Sequence, residues 1–249
     1  MLRGIYSASG AMKMNALEQQ ILSDNLANIN TTGFKGEKVS FRSFKPNLVR
    51  GDDNKIVGSM VAGVSVHSTH NNFSQGSLRL TNNPLDVAIT GEGLFAVETP
   101  SADIQYTRNG HFSVDKDGFM TNAHGDKLLD QGLSPIVLNM RNISDISIKK
   151  DGSILADGES VTRLATFKFP QGAGILRLAG DKFDLSDDGM VMQQAVGDSF
   201  HQGFLEESNV NAVKSSTDMI KVMRHYEANQ RSLRTQADTL RLLIDVGKI

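Results

Sequence analysis

The chain of 249 residues has no cysteine, which excludes disulfides and thiolate chemistry outright. It has little net charge, −2 with 26 basic and 28 acidic residues. Phosphate binding calls for a strongly basic face, so nucleic acid is not expected as a partner. No stretch approaches the ~20 consecutive apolar residues that span a bilayer. The opening Met1-Leu2-Arg3-Gly4-Ile5-Tyr6 has neither an apolar core nor a small-residue cleavage site, so no classical secretory signal is expected. If the chain leaves the cytoplasm, it does so by another route. Hydrophobic residues make up only 39%, low for a compact globule yet too high for a disordered chain. The length suits one large domain or two small ones.

What is present falls into zones. Leu2, Ile5, Ala8, Met12, Ala16, Gln19, Leu22, Leu26 and Ile29 recur at threes and fours. That spacing predicts an N-terminal helix with one narrow apolar stripe, ending at Asn30-Thr31-Thr32-Gly33. The C-terminal zone mirrors it: Val213, Ile220, Met223, Leu233, Leu240 and Leu243 hold the same spacing, and neither Gly nor Pro occurs between Asn211 and Val246. A helix of about 35 residues is about 50 Å long, which suggests a coiled coil or helical assembly.

Between these ends, short β-type runs alternate with glycine turns. Leu85–Thr90 precedes Gly91-Glu92-Gly93, Leu94–Glu98 follows, and Ile104–Thr107 leads into Asn109-Gly110. His111–Val114, Ile143–Ile148, Ser153–Ala156 and Ala165–Phe169 complete the set, with turns at Asp115–Gly118, Asp151-Gly152, Asp157-Gly158 and Asp188-Gly189. Asn-Gly and Asp-Gly between apolar runs signal hairpins. The expected class is α+β: terminal helical segments over 1–45 and 204–249, a loop or extended arm over 46–72, and a mainly antiparallel β domain over 73–203.

Sequences that carry chemistry are scarce. Gly91-Glu92-Gly93 is a lone G-x-G between strands, not a dinucleotide loop before a helix. Asp115-Lys116-Asp117-Gly118 has Met120 where a calcium loop needs glycine. His67 and His70 are near each other but lack two further ligands close in sequence. No G-x-S-x-G elbow occurs. No cofactor, metal or small-molecule substrate is expected, and the chain does not read as an enzyme. Met12, Met14, Met219 and Met223 read as adaptable packing. From this chain alone Arg108 and Arg224 read as solvated charges, ion-pair anchoring being an alternative that only analogy with related proteins would supply.

The segment Asn25-Leu26-Ala27-Asn28-Ile29-Asn30-Thr31-Thr32-Gly33-Phe34-Lys35 resembles the N-terminal signature of the flagellar rod and hook protein family. Leu205–Asn211 with Met219-Ile220 and Arg224–Asn229 resembles that family's C-terminal motif. Asn83–Ile89 and Tyr106–Phe112, with Asp115–Gly118, resemble its central β segments. The resemblance spans nearly the whole chain. Length and the compact middle are most similar to the proximal rod members, with the distal rod and a rod or hook assembly scaffold as alternatives.

The resemblance implies an inner coiled-coil-like layer built from both termini, an outer β domain, and export through the flagellar type III apparatus without a cleaved signal. It implies location in the basal body, with other copies of the chain and neighbouring rod proteins as partners. The assembly interface is assigned to Leu22, Asn25, Leu26, Asn28, Ile29, Asn209, Asn211, Ile220, Leu233 and Leu240. Of these, Asn25 and Asn28, with Thr32, serve either local capping or bonds between subunits. Residues 1–35 and about 210–249 are expected to be poorly ordered in the free subunit.

Overall fold

The computed structural model describes residues 2–43, 47–50, 56–60, 64–138, 146–170, 173–178, 181–185, 191–195 and 197–246. The chain divides into two units. One comprises Met1–Ala27, Glu37–Asn71 and Asn211–Ile249; the other comprises Asn28–Gly36 and Asn72–Val210.

The first unit holds helix α1 (Leu2–Ala27), strands β1 (Glu37–Ser43), β2 (Asn47–Arg50), β3 (Ile56–Met60) and β4 (Val64–Asn71), and helix α2 (Ala212–Val246). The two helices pack against each other and run antiparallel, for Gly4 meets Gln236 while Glu18 feels Asp218 and His225. The long second helix is the expected one, uninterrupted because no Gly or Pro breaks it. It opens on a cap: the Asn211 side chain accepts from the Lys214 N–H at 2.9 Å, supplying a partner for an otherwise orphaned donor.

Two expectations about this unit need correction. Helix α1 ends at Ala27, so Asn28 and Ile29 are not on it. The stripe continues past the helix because Ile29 is half-buried in the other unit. Within the span 46–72, expected as a loop or arm, the described residues 47–50, 56–60 and 64–71 are strands: β1 pairs antiparallel with β4 and β2 with β3. Its alternation is written in Ser, Thr, His and Val, as in Val64-Ser65-Val66-His67-Ser68-Thr69, and gives no large-apolar period to detect.

The second unit is all β: β5 (Leu78–Leu80), β6 (Val87–Thr90), β7 (Phe95–Glu98), β8 (Ile104–Thr107), β9 (Ser113–Val114), β10 (Met120–Thr121), β11 (Lys127–Leu128), β12 (Ile146–Ile148), β13 (Ser153–Ala156), β14 (Glu159–Arg163), β15 (Phe167–Lys168), β16 (Ile175–Arg177), β17 (Lys182–Leu185), β18 (Gln193–Gln194), β19 (Ser199–Gln202) and β20 (Phe204–Glu206). Seven strands form one sheet in the order β16-β17-β8-β7-β11-β10-β9. One core gathers Val87, Phe95, Phe112, Leu128, Ile154 and Phe200; a second gathers Leu94, Leu129, Phe167 and Phe183. The last strand, β20, pairs with β5, so residues 204–210 belong here and not, as expected, to the helical segment.

Hairpins do form at Asp151-Gly152 and Asp157-Gly158, joining β12 to β13 and β13 to β14, and at Asp115–Gly118, where the Asp115 carboxylate accepts from the Asp117 and Phe119 N–H groups. The turns at Gly91–Gly93 and Asn109-Gly110 are not hairpins, because β6 pairs with β19 and β8 with β7 and β17. Gly110 is there for close approach: a Cβ would overlap the Val87 carbonyl oxygen, and Val87 donates to the Gly110 carbonyl at 3.0 Å. Asp188-Gly189 and the start of the Ile143–Ile148 run lie outside the described residues.

A buried charge clasp and the helix seam

The three motif segments meet in the β unit around Glu206. This carboxylate is 1% exposed, between Lys35 at 1% and Arg108 at 3%. Its Oε1 accepts from Lys35 Nζ at 2.6 Å and from the Gly76 N–H at 2.7 Å, and its Oε2 from Arg108 Nε at 2.6 Å. Arg108 also donates to the carbonyls of Ile89 (2.9 Å), Gly91 (2.7 Å) and Gly93, and Lys35 to that of Ser74 at 2.9 Å. Two cations and one anion are thus buried together with every charged head hydrogen-bonded, which is the condition for burying charge at tolerable cost. Burial pulls the Lys35 ammonium below its ordinary value; Glu206 opposes that shift and Arg108 adds to it.

Backbone and amide bonds surround the ions. The Gly33 N–H donates to the Glu206 carbonyl at 2.7 Å and the Glu207 N–H to that of Ser77 at 2.8 Å. The Asn209 side chain accepts from the Gly36 N–H at 2.9 Å and donates to the carbonyls of Asn72 and Ser74 at 2.7 and 2.8 Å. Phe34, 1% exposed, lies under the Arg177 guanidinium, 4.0 Å from its ring centre. Gly33 adopts φ +70° against the backbone of Arg108 and Asn109. It is a glycine for the reason expected, positive φ, but in this packing and not at a helix end.

Arg108, expected as a solvated charge, is therefore a buried anchor. Position in the motifs was the available signal: Lys35, Arg108 and Glu206 lie in the N-terminal, central and C-terminal motifs. Arg224 is exposed. Beside the clasp, Ile29, Asn30 and Thr32 line a polar cleft of about 450 Å³ with Ser77, Arg79 and Glu207. Asn28 accepts from the Thr31 hydroxyl at 3.2 Å, a local bond.

In the helical unit, Asn25 caps nothing. Buried at 6%, it donates to and accepts from the Glu37 backbone, both at 2.8 Å, tying α1 to β1. Leu22, Leu26, Leu233 and Leu240 are half-buried. The covered positions of α2 are Ser215, Asp218, Met219, Val222, Tyr226, Asn229, Gln230, Leu233, Gln236 and Leu240, a 4-3 alternation broadened at Asp218 and Gln230. Ile220, expected in that seam, is 52% exposed on another face, as are Val213 at 77% and Met223 at 45%. The small and polar Ser215, Asn229 and Gln236 are covered, so hydrophobicity alone does not pick out the covered face. Ile21 at 7% and Val222 at 5% are the best-buried apolar residues of the two helices. No described helix is long and apolar enough to cross a membrane, and no group of three His, Asp or Glu among the described residues is placed to hold a metal ion.

Comparison with known proteins follows the same three segments. Residues 5–35 match the family of flagella basal body rod proteins, residues 88–156 the D1 domain of the flagellar hook proteins FlgE/F/G, and residues 201–246 the C-terminal region of the flagellar basal body rod FlgEFG proteins. The chain is 32% identical to the basal-body rod protein FlgF of Mesorhizobium japonicum over 90% of each chain. It is 30% identical to FlgF of Caulobacter vibrioides over 93% of each. It is 27% identical to the rod protein FlgG of Buchnera aphidicola over 98% of this chain and 99% of that one. A clasp built from all three matched segments, at this level of full-length similarity, places the chain in the flagellar basal-body rod protein family.

Proposed function

We propose that this chain is a structural subunit of the flagellar basal-body rod, polymerising through its terminal helices with further copies and with neighbouring rod proteins. The observation that carries the mode of assembly is the division of faces on α2. Its α1-facing seam is partly small and polar, while Val213, Ile220, Met223, Leu242, Leu243 and Ile244 are exposed. Such a helix buries its apolar side only against neighbours. A groove of about 550 Å³ along the pair, lined by Ala16, Gln19, Gln20, Ser23, Asp24 and Tyr226, offers a seat for one. Head-to-tail contacts that do not close give an open helix, the geometry of a rod. The coiled-coil-like layer, the ordering of the terminal segments on assembly and passage through the type III apparatus belong to this reading. So do the interface roles of Leu22, Asn25, Leu26, Asn211, Ile220, Leu233 and Leu240 in the helical unit, and of Asn28, Ile29 and Asn209 in the β unit.

Replacing Leu26 or Leu240 by Asp will abolish incorporation into basal bodies while leaving the β unit folded, read by electron microscopy and by hydrogen exchange of peptides from the β unit. Normal motility in both variants would refute it. The proximal position is favoured by identities of 32% and 30% to FlgF against 27% to FlgG. In a strain lacking the gene, the point where the rod stops tests this, a stop beneath an otherwise distal segment being the contrary result.

A further inference from the structure

We infer that the clasp is the closing step in folding of the β unit, so that a chain delivered N-terminus first stays open until its last strand, β20, has arrived. The clasp bonds are among the longest-range ones between described residues of the β unit: Lys35 to Glu206 spans 171 positions and Gly36 to Asn209 spans 173, with Arg108 to Glu206 at 98. Hairpins such as β7–β8 or β13–β14 close over a few residues. Loop-closure entropy delays the former relative to the latter.

Charge makes the delay a condition. Burying Lys35 and Arg108 before Glu206 is present strands two cations in the interior, and the cost of an uncompensated buried charge outweighs the benefit of the apolar surface buried with it. Burial of both therefore waits for the carboxylate. Strand β20 then completes two sides at once. Its Glu206 carbonyl takes the Gly33 N–H on one side, and its ladder with β5 forms on the other. The chain leaves toward α1 at Asn28 and toward α2 at Val210, at the two ends of the clasp segments. This inference does not rest on the rod reading, and the two fail separately.

The test is pulsed hydrogen exchange with mass spectrometry during refolding of the full chain. The amides of Gly33, Gly36, Gly76, Glu207 and Asn209 will gain protection in one phase, later than those of the β7–β8 hairpin. Asn209→Ala, which spares the ion triad, will speed opening of the β unit about tenfold and leave the hairpin's protection rate unchanged, as for a group that forms after the transition state. Clasp amides protected with or before the hairpin overturn the inference. So does an Asn209→Ala chain that refolds more slowly but opens at the normal rate.

Discussion

Replacing Glu206 by Gln keeps the side chain's shape and removes one charge. Its carboxylate accepts three hydrogen bonds, two of them from cations at 2.6 Å. The amide has one acceptor oxygen, and its NH₂ faces a cation. Two buried positive charges then remain where the wild type has a net of one, and removing one partner of a buried ion pair costs about 3–5 kcal/mol. That is a large share of the ~5–15 kcal/mol that holds a domain together. The partners are not equivalent. Arg108→Met takes this donor from the Gly91 and Gly93 carbonyls, while that of Ile89 still receives the Gln75 amide at 2.9 Å; each lost partner costs about 1–3 kcal/mol. Lys35→Met leaves Glu206 neutralised by Arg108, and the Ser74 carbonyl still receives Asn209. It also removes an ammonium whose charge burial disfavours, so its cost lies below the ~3–5 kcal/mol of a buried charge left unpaired. The order is Glu206→Gln and Arg108→Met well above Lys35→Met. Urea unfolding followed by segment-resolved hydrogen exchange reads the β unit apart from the helices, which a single global signal does not. The reasoning fails if Lys35→Met costs as much as Glu206→Gln, or if Glu206→Gln falls within about 1 kcal/mol of wild type.

Other perturbations separate the remaining parts. Gly33→Ala combines left-handed strain with overlap of the Arg108–Asn109 backbone and will leave no protease-resistant β unit. Gly158→Ala, at φ +88° with open space around it, incurs only about 1–2 kcal/mol of strain and will lower the melting temperature by a few degrees. Burial, followed by Asp218, raises the Glu18 carboxyl above 4.5, with His225 opposing. A carboxyl raised in the folded state contributes stability below its unfolded value, and that contribution is lost as pH rises through the folded value. The helical circular-dichroism signal, to which α1 and α2 are the described contributors, will therefore resist urea better on acidification toward pH 4.5, and Glu18→Gln will flatten that gain. Asn25→Ala removes both bonds to Glu37 and will destabilise the helical unit by about 1–3 kcal/mol.

The parts legible in the sequence were those with a local cause. Helix α2 could be read from the absence of Gly and Pro, and the Asp151-Gly152 and Asp157-Gly158 hairpins from turn chemistry. Strand β13 lies where Ser153–Ala156 was expected. What could not be read had distant causes. Gly110 looks like a turn glycine, and only the Val87 carbonyl pressing on it shows otherwise. Arg108 looks like any surface arginine until a residue 98 positions away supplies its carboxylate. The end of α1 was overrun because Ile29 continues the apolar period, yet that residue packs in a different unit.

The seam of α2 was misplaced for a reason that bears on how the molecule works. A helix pair built for solitary stability puts its best apolar face inward. Here Gly4, Asn15, Glu18, Ser215, Asn229 and Gln236 occupy covered positions, and Asn15 Nδ2 and Gln236 Oε1 are buried without a hydrogen-bond partner, each at a cost of about 1–3 kcal/mol. Ile21, Val222, Leu233 and Leu240 are covered as well, while Ile220, Met223 and Leu242 face outward. In the proposed assembly, pairing within one chain is kept weak and burial of those outward side chains falls to contact with another chain. The β unit has the opposite design, its buried ions fully bonded. In that reading stability is concentrated where the subunit keeps its shape and left to assembly where it meets neighbours.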